Sequence, residues 1–232
     1  MPFRCWVELY RDCSGNPILF SDPWGLYDHM YNYDMDRIME ARARTLANES
    51  GYTSDHVVYQ SLFQLHYMWG VIKAEYKPDV LALIKEVERI ANSAGGLTLI
   101  NFVYENYSRN NGGRLNDTEV IIAAGYLINA KITDWITQCV DKALSELFGR
   151  EPADDTPGNA FKHAYWNALM VEAFGEKVAK LFADAHEFGA EENLNKSNHN
   201  SMYMDLHNNA LGRSLALSPI FMAYNGVEKE NQ

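Results

Sequence analysis

An α-helical period runs through most of this chain and leaves little choice of fold class. Near Asp34 apolar positions begin to recur every three or four residues: Met35, Ile38 and Met39 lead on to Leu46, with Arg42 in step. The same spacing joins Val57, Val58, Ser61, Leu62, Leu65, Met68 and Trp69. Such spacing builds one face of a helix, whereas a strand alternates every second residue. Pro78-Asp79 opens a third helix with Val80, Leu83, Ile84, Val87 and Ile90 on one face, stopping at Gly95-Gly96. Leu97–Tyr107 is a fourth apolar stretch, Asp117-Thr118-Glu119 begins the next helix, and Trp135–Phe148 continues the pattern to Gly149-Arg150. Three further helices are expected at about 159–174, 176–189 and 202–217, with a polar loop at Ala190–Ser201.

Only the first 28 residues depart from this period. Trp6–Tyr10 and Ile18-Leu19-Phe20 are β-like and sit beside the turn formers Ser14-Gly15-Asn16-Pro17 and Ser21-Asp22-Pro23-Trp24-Gly25. A second break falls at 151–158, Glu-Pro-Ala-Asp-Asp-Thr-Pro-Gly, where two prolines and a glycine interrupt any element. The expected organisation is therefore 1–28 as an end segment, 29–150 as a helical region and 151–232 as the domain that carries the chemistry. The fold class is mainly α, a helical bundle with a short β-like N-terminal segment.

Charge and cysteine content weigh against several classes of function. Lys+Arg 20 against Asp+Glu 31 leaves a net charge of −11. A basic footprint for nucleic acid or an anionic membrane is thus missing. Cys5, Cys13 and Cys139 form no Cys-x-x-Cys pair, which fits neither a disulfide scaffold nor a thiolate zinc site and points to a reducing compartment. Residues 1–30 lack a charged-then-apolar signal pattern, and the most apolar windows, around Val80–Ile84 and Val120–Ile128, are far shorter than the roughly 18 residues of a membrane span.

The chemistry-bearing residues gather in three blocks: Asn159-Ala-Phe-Lys-His163-Ala-Tyr-Trp166-Asn167-Ala-Leu, Phe182-Ala-Asp184-Ala-His186-Glu187, and Met204-Asp205-Leu-His207-Asn208-Asn209-Ala-Leu-Gly212-Arg213. On the first helix Asn159, His163, Trp166 and Asn167 share a face. The plain reading of His163 is a core histidine bonded to asparagine. On the second, His186 and Glu187 lie toward one side with Asp184 one turn back. Acids at a helix C-terminus oppose the macrodipole, which favours function over a merely solvated end. On the third, an Asn-Asn pair is locally unfavourable inside a helix, and sequences tolerate that where a site requires it. Arg213 either holds a phosphate or carboxylate or pairs with a structural acid such as Asp205 or Asp184.

Convergence of the three helices would place His163, His186, Glu187 and Asp205 together, as catalytic groups and as ligands of zinc, manganese or iron. Trp166, Asn167, His207, Asn208, Asn209 and Arg213 would then contact substrate. A metal-free variant uses His163 and His186 as general acid and base, with Arg213 and Asn208 stabilising developing charge. A third possibility is that these residues form a structural polar network.

In outline the order His, His-acid, Asp on consecutive helices is similar to the all-helical HD phosphohydrolases, although the doublet here is His-Glu. A closer likeness covers about residues 151–218. There the blocks resemble a bacterial domain family found at the C-termini of polymorphic toxins and wall-associated proteins, which reads Ala-Phe-Arg-His-Ala-x-Trp-Asn-Ala, Asp-Ala-His-Glu and Met-Asp-Leu-His-Asn-Asn-x-x-Gly-Arg. Lys162 stands where that pattern has arginine. At the other end Asn16-Pro17-Ile-Leu-Phe-Ser-Asp22-Pro23-Trp24-Gly25-Leu26 resembles the signature that closes the shell of RHS-repeat proteins before their toxin tips.

The RHS resemblance implies cleavage near Leu26, synthesis in the bacterial cytoplasm, and delivery into a target cell by an RHS shell and a secretion apparatus such as type VI, without a signal peptide. It also implies a cognate immunity protein. The functional expectation is an antibacterial effector that is a metal-dependent hydrolase of a phosphoester: a nucleotide, a lipid headgroup, a cell-wall precursor or, less favoured by charge, nucleic acid. The alternative is a non-enzymatic toxin in which helices 57–72, 80–91 and 118–130 insert into a membrane or engage a target protein.

Overall fold

The computed structural model of the chain describes residues 54–108, 115–149, 156–195 and 198–218. The β-like runs, the RHS-like segment 1–28 and the helix expected from Asp34 lie outside these residues. Among the described residues eight α-helices follow in order: α1 (Ser54–Val71), α2 (Lys77–Ala91), α3 (Gly96–Val103), α4 (Asp117–Gly125), α5 (Leu127–Phe148), α6 (Pro157–Phe174), α7 (Glu176–Gly189) and α8 (His199–Ala216). Short 3-10 turns occupy Ala74–Tyr76 and Glu191–Leu194, and a π-turn at Tyr104–Ser108 extends α3. No strand occurs among the described residues, so the protein is mainly α as its periodicity requires.

Local signals account for the helix starts. Pro78 stands in the first turn of α2, where its missing N–H costs nothing. Asn116 caps α4 by accepting the Glu119 N–H at 2.9 Å, and the Glu119 carboxylate accepts the Asn116 N–H at 2.8 Å, a reciprocal capping box. Thr156 Oγ1 accepts the Asn159 N–H at 3.3 Å and starts α6 beside Pro157. The sequence period hides one boundary. Gly125 and Tyr126 interrupt the apolar run, Tyr126 leaves helical geometry (φ −137°, ψ 50°), and a separate helix, α5, starts at Leu127. The loop expected at Ala190–Ser201 is also shorter, because α8 begins at His199.

One hydrophobic cluster runs from Val57 to Ala216 and joins both sides of the 150/151 break. Its α1, α2 and α4 layer contains Val57, Leu65, Met68, Val80, Leu83, Val87, Val120, Ile121 and Ile122, all buried. Burying one such side chain is worth ~1.5–3 kcal/mol. The apolar faces at 57–72, 80–91 and 118–124 are thus already occupied by one another, while Ile128 stays exposed. No helix among the described residues is long and apolar enough to cross a membrane.

Helix α7 packs on α1, α2 and α4 with Ala179, Phe182 and Phe188, and it also touches α6 and α8. It therefore separates an apolar layer from a polar one. Among the described residues, the α6 and α8 helices make the most extensive pairing. Gly212 makes it possible, since a Cβ there would stand 2.0 Å from the Ala164 carbonyl oxygen. Backbone meets backbone at that point.

Candidate metal and acid/base site

The close pairing of α6 and α8 lines up two ladders of polar side chains. Asn159, His163 and Asn167 rise one turn apart along α6, while Asp205, Asn209 and Arg213 do the same along α8. Asn159 Nδ2 donates to Asp205 Oδ1 at 3.0 Å, His163 Nδ1 lies 3.1 Å from Asn209 Oδ1, and Arg213 donates to Asn167 Oδ1 at 2.9 Å. Each rung spans the same 46 positions. The helices consequently run parallel, and α7 is the return between them.

The α7 helix brings its C-terminal end against the middle of the ladder. Glu187 Oε1 accepts from Asn209 Nδ2 at 3.0 Å and lies 3.4 Å from His163 Nδ1. His163 Nε2 faces Asp205 Oδ1 at 3.4 Å. One donor atom from each of His163, Glu187 and Asp205 can be chosen so that all lie within 4.8 Å of one another. Ligands of one small divalent ion stand roughly 3–4.2 Å apart, given bonds of about 2.1 Å. A shift of about half an ångström brings the group to that spacing. Three protein ligands leave coordination positions open, as catalytic sites do and structural sites do not.

The position of α7 is set by side-chain amides that take up its terminal carbonyls. Asn116 Nδ2 donates to Ala185 O at 3.1 Å and, more weakly, to His186 O at 3.4 Å. Asn193 Nδ2 donates to Glu187 O at 2.8 Å, and Gln64 Nε2 to Phe188 O at 3.2 Å. The last carbonyls of a helix have no partner within it, so these bonds both satisfy them and fix the helix end. Gly189 permits the contact with Asn116, because a Cβ there would sit 2.4 Å from Asn116 Oδ1.

Burial governs the charge states. His163 is pushed down to about 4 by burial, aided by the positive charge of His186, with the Asn209 hydrogen bond opposing. Glu187 is pushed up to about 7 by burial, while His186 lowers it and the Asp205 charge raises it. At neutral pH the cluster therefore holds a neutral imidazole, the form that binds a metal, and a carboxyl group near its own midpoint. With both acids ionised it carries two negative charges, which one divalent cation would cancel.

His186 stands beside this group rather than in it. Its Nδ1 lies 2.9 Å from Glu119 Oε1, and its ring centre is 6.4 Å from that of His163. Neighbours crowd its inner side while 51% of the side chain is open. The crowding disfavours charge on the ring, but the Glu119 ion pair and the field of Glu187 outweigh it and lift the pKa to about 9. Solvent on the open side screens part of this field. His186 is an imidazolium at neutral pH. Trp166 walls it at 6.1 Å between ring centres and is held by its indole N–H donating to Thr137 Oγ1 at 3.1 Å.

The structure thus gathers His163, Glu187 and Asp205, braces them with Asn167, Asn209 and Arg213, and sets His186 and Trp166 at the edge. Arg213 is buried, so its guanidinium serves the interior network. His207 is exposed and Asn208 half-buried. Asp184 turns away to Lys180 at 2.6 Å, and Lys180 also reaches Asp79 at 3.0 Å. Glu119 and Asn116 were not among the expected site residues. Their sequence signal, an Asn three residues before a Glu, reads as a helix cap, and they serve as one.

Residues 120–228 match the model of a family described as a domain of unknown function, DUF6973. The matched stretch holds α5 to α8 and all three clustered donors. No curated protein and no solved structure matches the chain.

Proposed function

We propose that this protein is an antibacterial effector whose helical C-terminal part is a metal-dependent hydrolase of a phosphoester. The observation that carries the reading is the His163–Glu187–Asp205 group, three donors of the kind that hold zinc, manganese or iron, within 4.8 Å and nearly closed to solvent. A divalent cation there supplies activation of water and neutralisation of a phosphoryl oxygen. The protein's own residues do the remainder. Asn159 holds Asp205 in place, and Asn209 holds both His163 and Glu187. The His186 imidazolium, aligned by Glu119, offers its outward N–H to an anionic group or to a departing oxygen, and Trp166 closes one side against water.

A net charge of −11 favours a small phosphoester, such as a nucleotide, a lipid headgroup or a cell-wall precursor, over a long nucleic acid. The RHS-like N-terminal signature supports delivery by an RHS shell and a secretion apparatus into a target cell, with an immunity protein in the producer. The test is induced cytoplasmic expression in bacteria of wild type beside Asp205→Asn, with melting curves and metal content for both. Growth arrest by wild type alone, with zinc, manganese or iron bound near one equivalent, is the expected result. Equal arrest by a folded, metal-free variant sinks the hydrolase reading and favours target binding or membrane insertion.

A further inference from the structure

The asparagines behind the cluster form a relay whose direction admits no reversal. Arg213 has only donors, and it donates to Asn167 Oδ1 at 2.9 Å. Asn167 Nδ2 in turn donates to the His163 backbone carbonyl at 3.1 Å, a group that only accepts. Held between a pure donor and a pure acceptor, the Asn167 amide has one orientation. The same Nδ2 donates to Asn209 Oδ1 at 2.6 Å, which fixes the second amide and sends its Nδ2 to Glu187 Oε1 at 3.0 Å. All three residues are buried, Asn167 and Asn209 completely, so water cannot substitute for a broken link.

We infer that the Arg213–Asn167–Asn209 relay sets the tautomer of His163, placing its proton on Nδ1 and presenting the bare Nε2 lone pair to the Asp205 side of the cluster. The geometry requires it: Asn209 Oδ1 faces His163 Nδ1 at 3.1 Å, and an oxygen already fixed as acceptor needs a donor opposite. Metal-binding histidines characteristically donate their second ring N–H to such an acceptor. In that tautomer Nε2 and Asp205 Oδ1, 3.4 Å apart, are both acceptors, an arrangement relieved by a cation between them. Arg213, Asn167 and Asn209 are then positioning residues for a divalent cation, and this part of the inference rests on the cation reading proposed above.

The test is the tautomer itself, read at neutral pH from the ring nitrogen shifts of His163 in metal-free, 15N-labelled protein. Wild type is expected to show one neutral form with the proton on Nδ1. Asn167→Asp is almost isosteric but replaces the donor by an acceptor, so Asn209 must turn its NH2 toward the new carboxylate and toward His163 Nδ1. The proton is then expected on Nε2, and Zn2+ binding is expected to weaken at least about tenfold. An Nε2 proton or a tautomer mixture in wild type overturns the relay, whether or not the variant folds. So does an unchanged tautomer in folded Asn167→Asp. With the tautomers as expected, Zn2+ should also move the wild-type Nε2 resonance. If it does not, the relay stands and the metal-dependent reading fails.

Discussion

The layer formed by α1, α2 and α4 and the layer formed by α6, α7 and α8 share one apolar core, but the second adds a buried chain of polar side chains. The first meets through Val57, Leu65, Met68, Val80, Leu83 and Ile121. The second meets through Asn167, Asn209, Glu187 and Arg213, linked donor to acceptor. Apolar contact has no direction, so the first layer can be repacked with other side chains of similar volume at modest cost. A hydrogen-bonded chain has a direction at every link, and one reversed amide leaves a buried group unsatisfied at about 1–3 kcal/mol. Stability resides in both layers, but the second fixes the hydrogen-bond direction around His163 and Glu187.

Breaking the contrast takes the largest change first. Gly212→Val would force α8 off α6, since the new Cβ meets the Ala164 backbone at 2.0 Å. A loss above about 4 kcal/mol, the exceptional range for one substitution, is expected in denaturant unfolding, with the ladder lost as well. Leu65→Ala removes a fully buried side chain from the apolar layer and should cost about 3 kcal/mol. Cation binding by the protein that remains folded should nevertheless match wild type. If Leu65→Ala abolishes binding below its melting transition, the two layers are not separable.

A pH series sharpens the comparison. The folded-state pKa of Glu187 is raised to about 7, so folding favours its protonated form. Its contribution to stability is best at low pH and declines as pH rises from the unfolded value near 4.5 to about 7. His163, lowered to about 4, acts oppositely and gains as pH rises from about 4 to 6.5. The two partly cancel in wild type. Subtracting the profile of Glu187→Gln isolates the carboxyl: the stability of wild type relative to that variant should fall from pH 4.5 to 7 in metal-free protein.

The smallest effect belongs to the open pair. Glu119→Gln should cost less stability than the raised pKa of His186 would imply, because His186 is half exposed and solvent screens the interaction. The pKa of His186 should nevertheless drop from about 9 toward its ordinary value in an NMR titration. The stability that the pair adds is present below about pH 6.5 and is lost as pH rises through about 9, so the variant should show no such loss.

These two histidines also mark what the sequence could reveal. Val80, Leu83, Ile84, Val87 and Ile90 were legible as a helix face because burial follows the 3.6-residue period, and all five are buried. His163, Glu187 and Asp205 were legible as residues of the right chemistry on three successive helices. The place of His186 was not. Neighbouring residues on a helix point about 100° apart, and the rotation of α7 about its axis depends on the carbonyl contacts from Asn116, Asn193 and Gln64. Glu119, 67 positions from His186, was hidden because in the sequence it marks only the start of a helix. The helix break at Tyr126 was masked by apolar residues on both sides of it, which suit either one long helix or two short ones.

Asn116 occupies two posts at once. Its side-chain oxygen starts α4 while its nitrogen finishes α7, and Gly189 gives it room to do so. Such a residue has few substitutes, since a change that suits one helix end deprives the other. Among descendants that keep this site, positions 116, 119, 186 and 189 should therefore be inherited as a block, while the stretches between them drift.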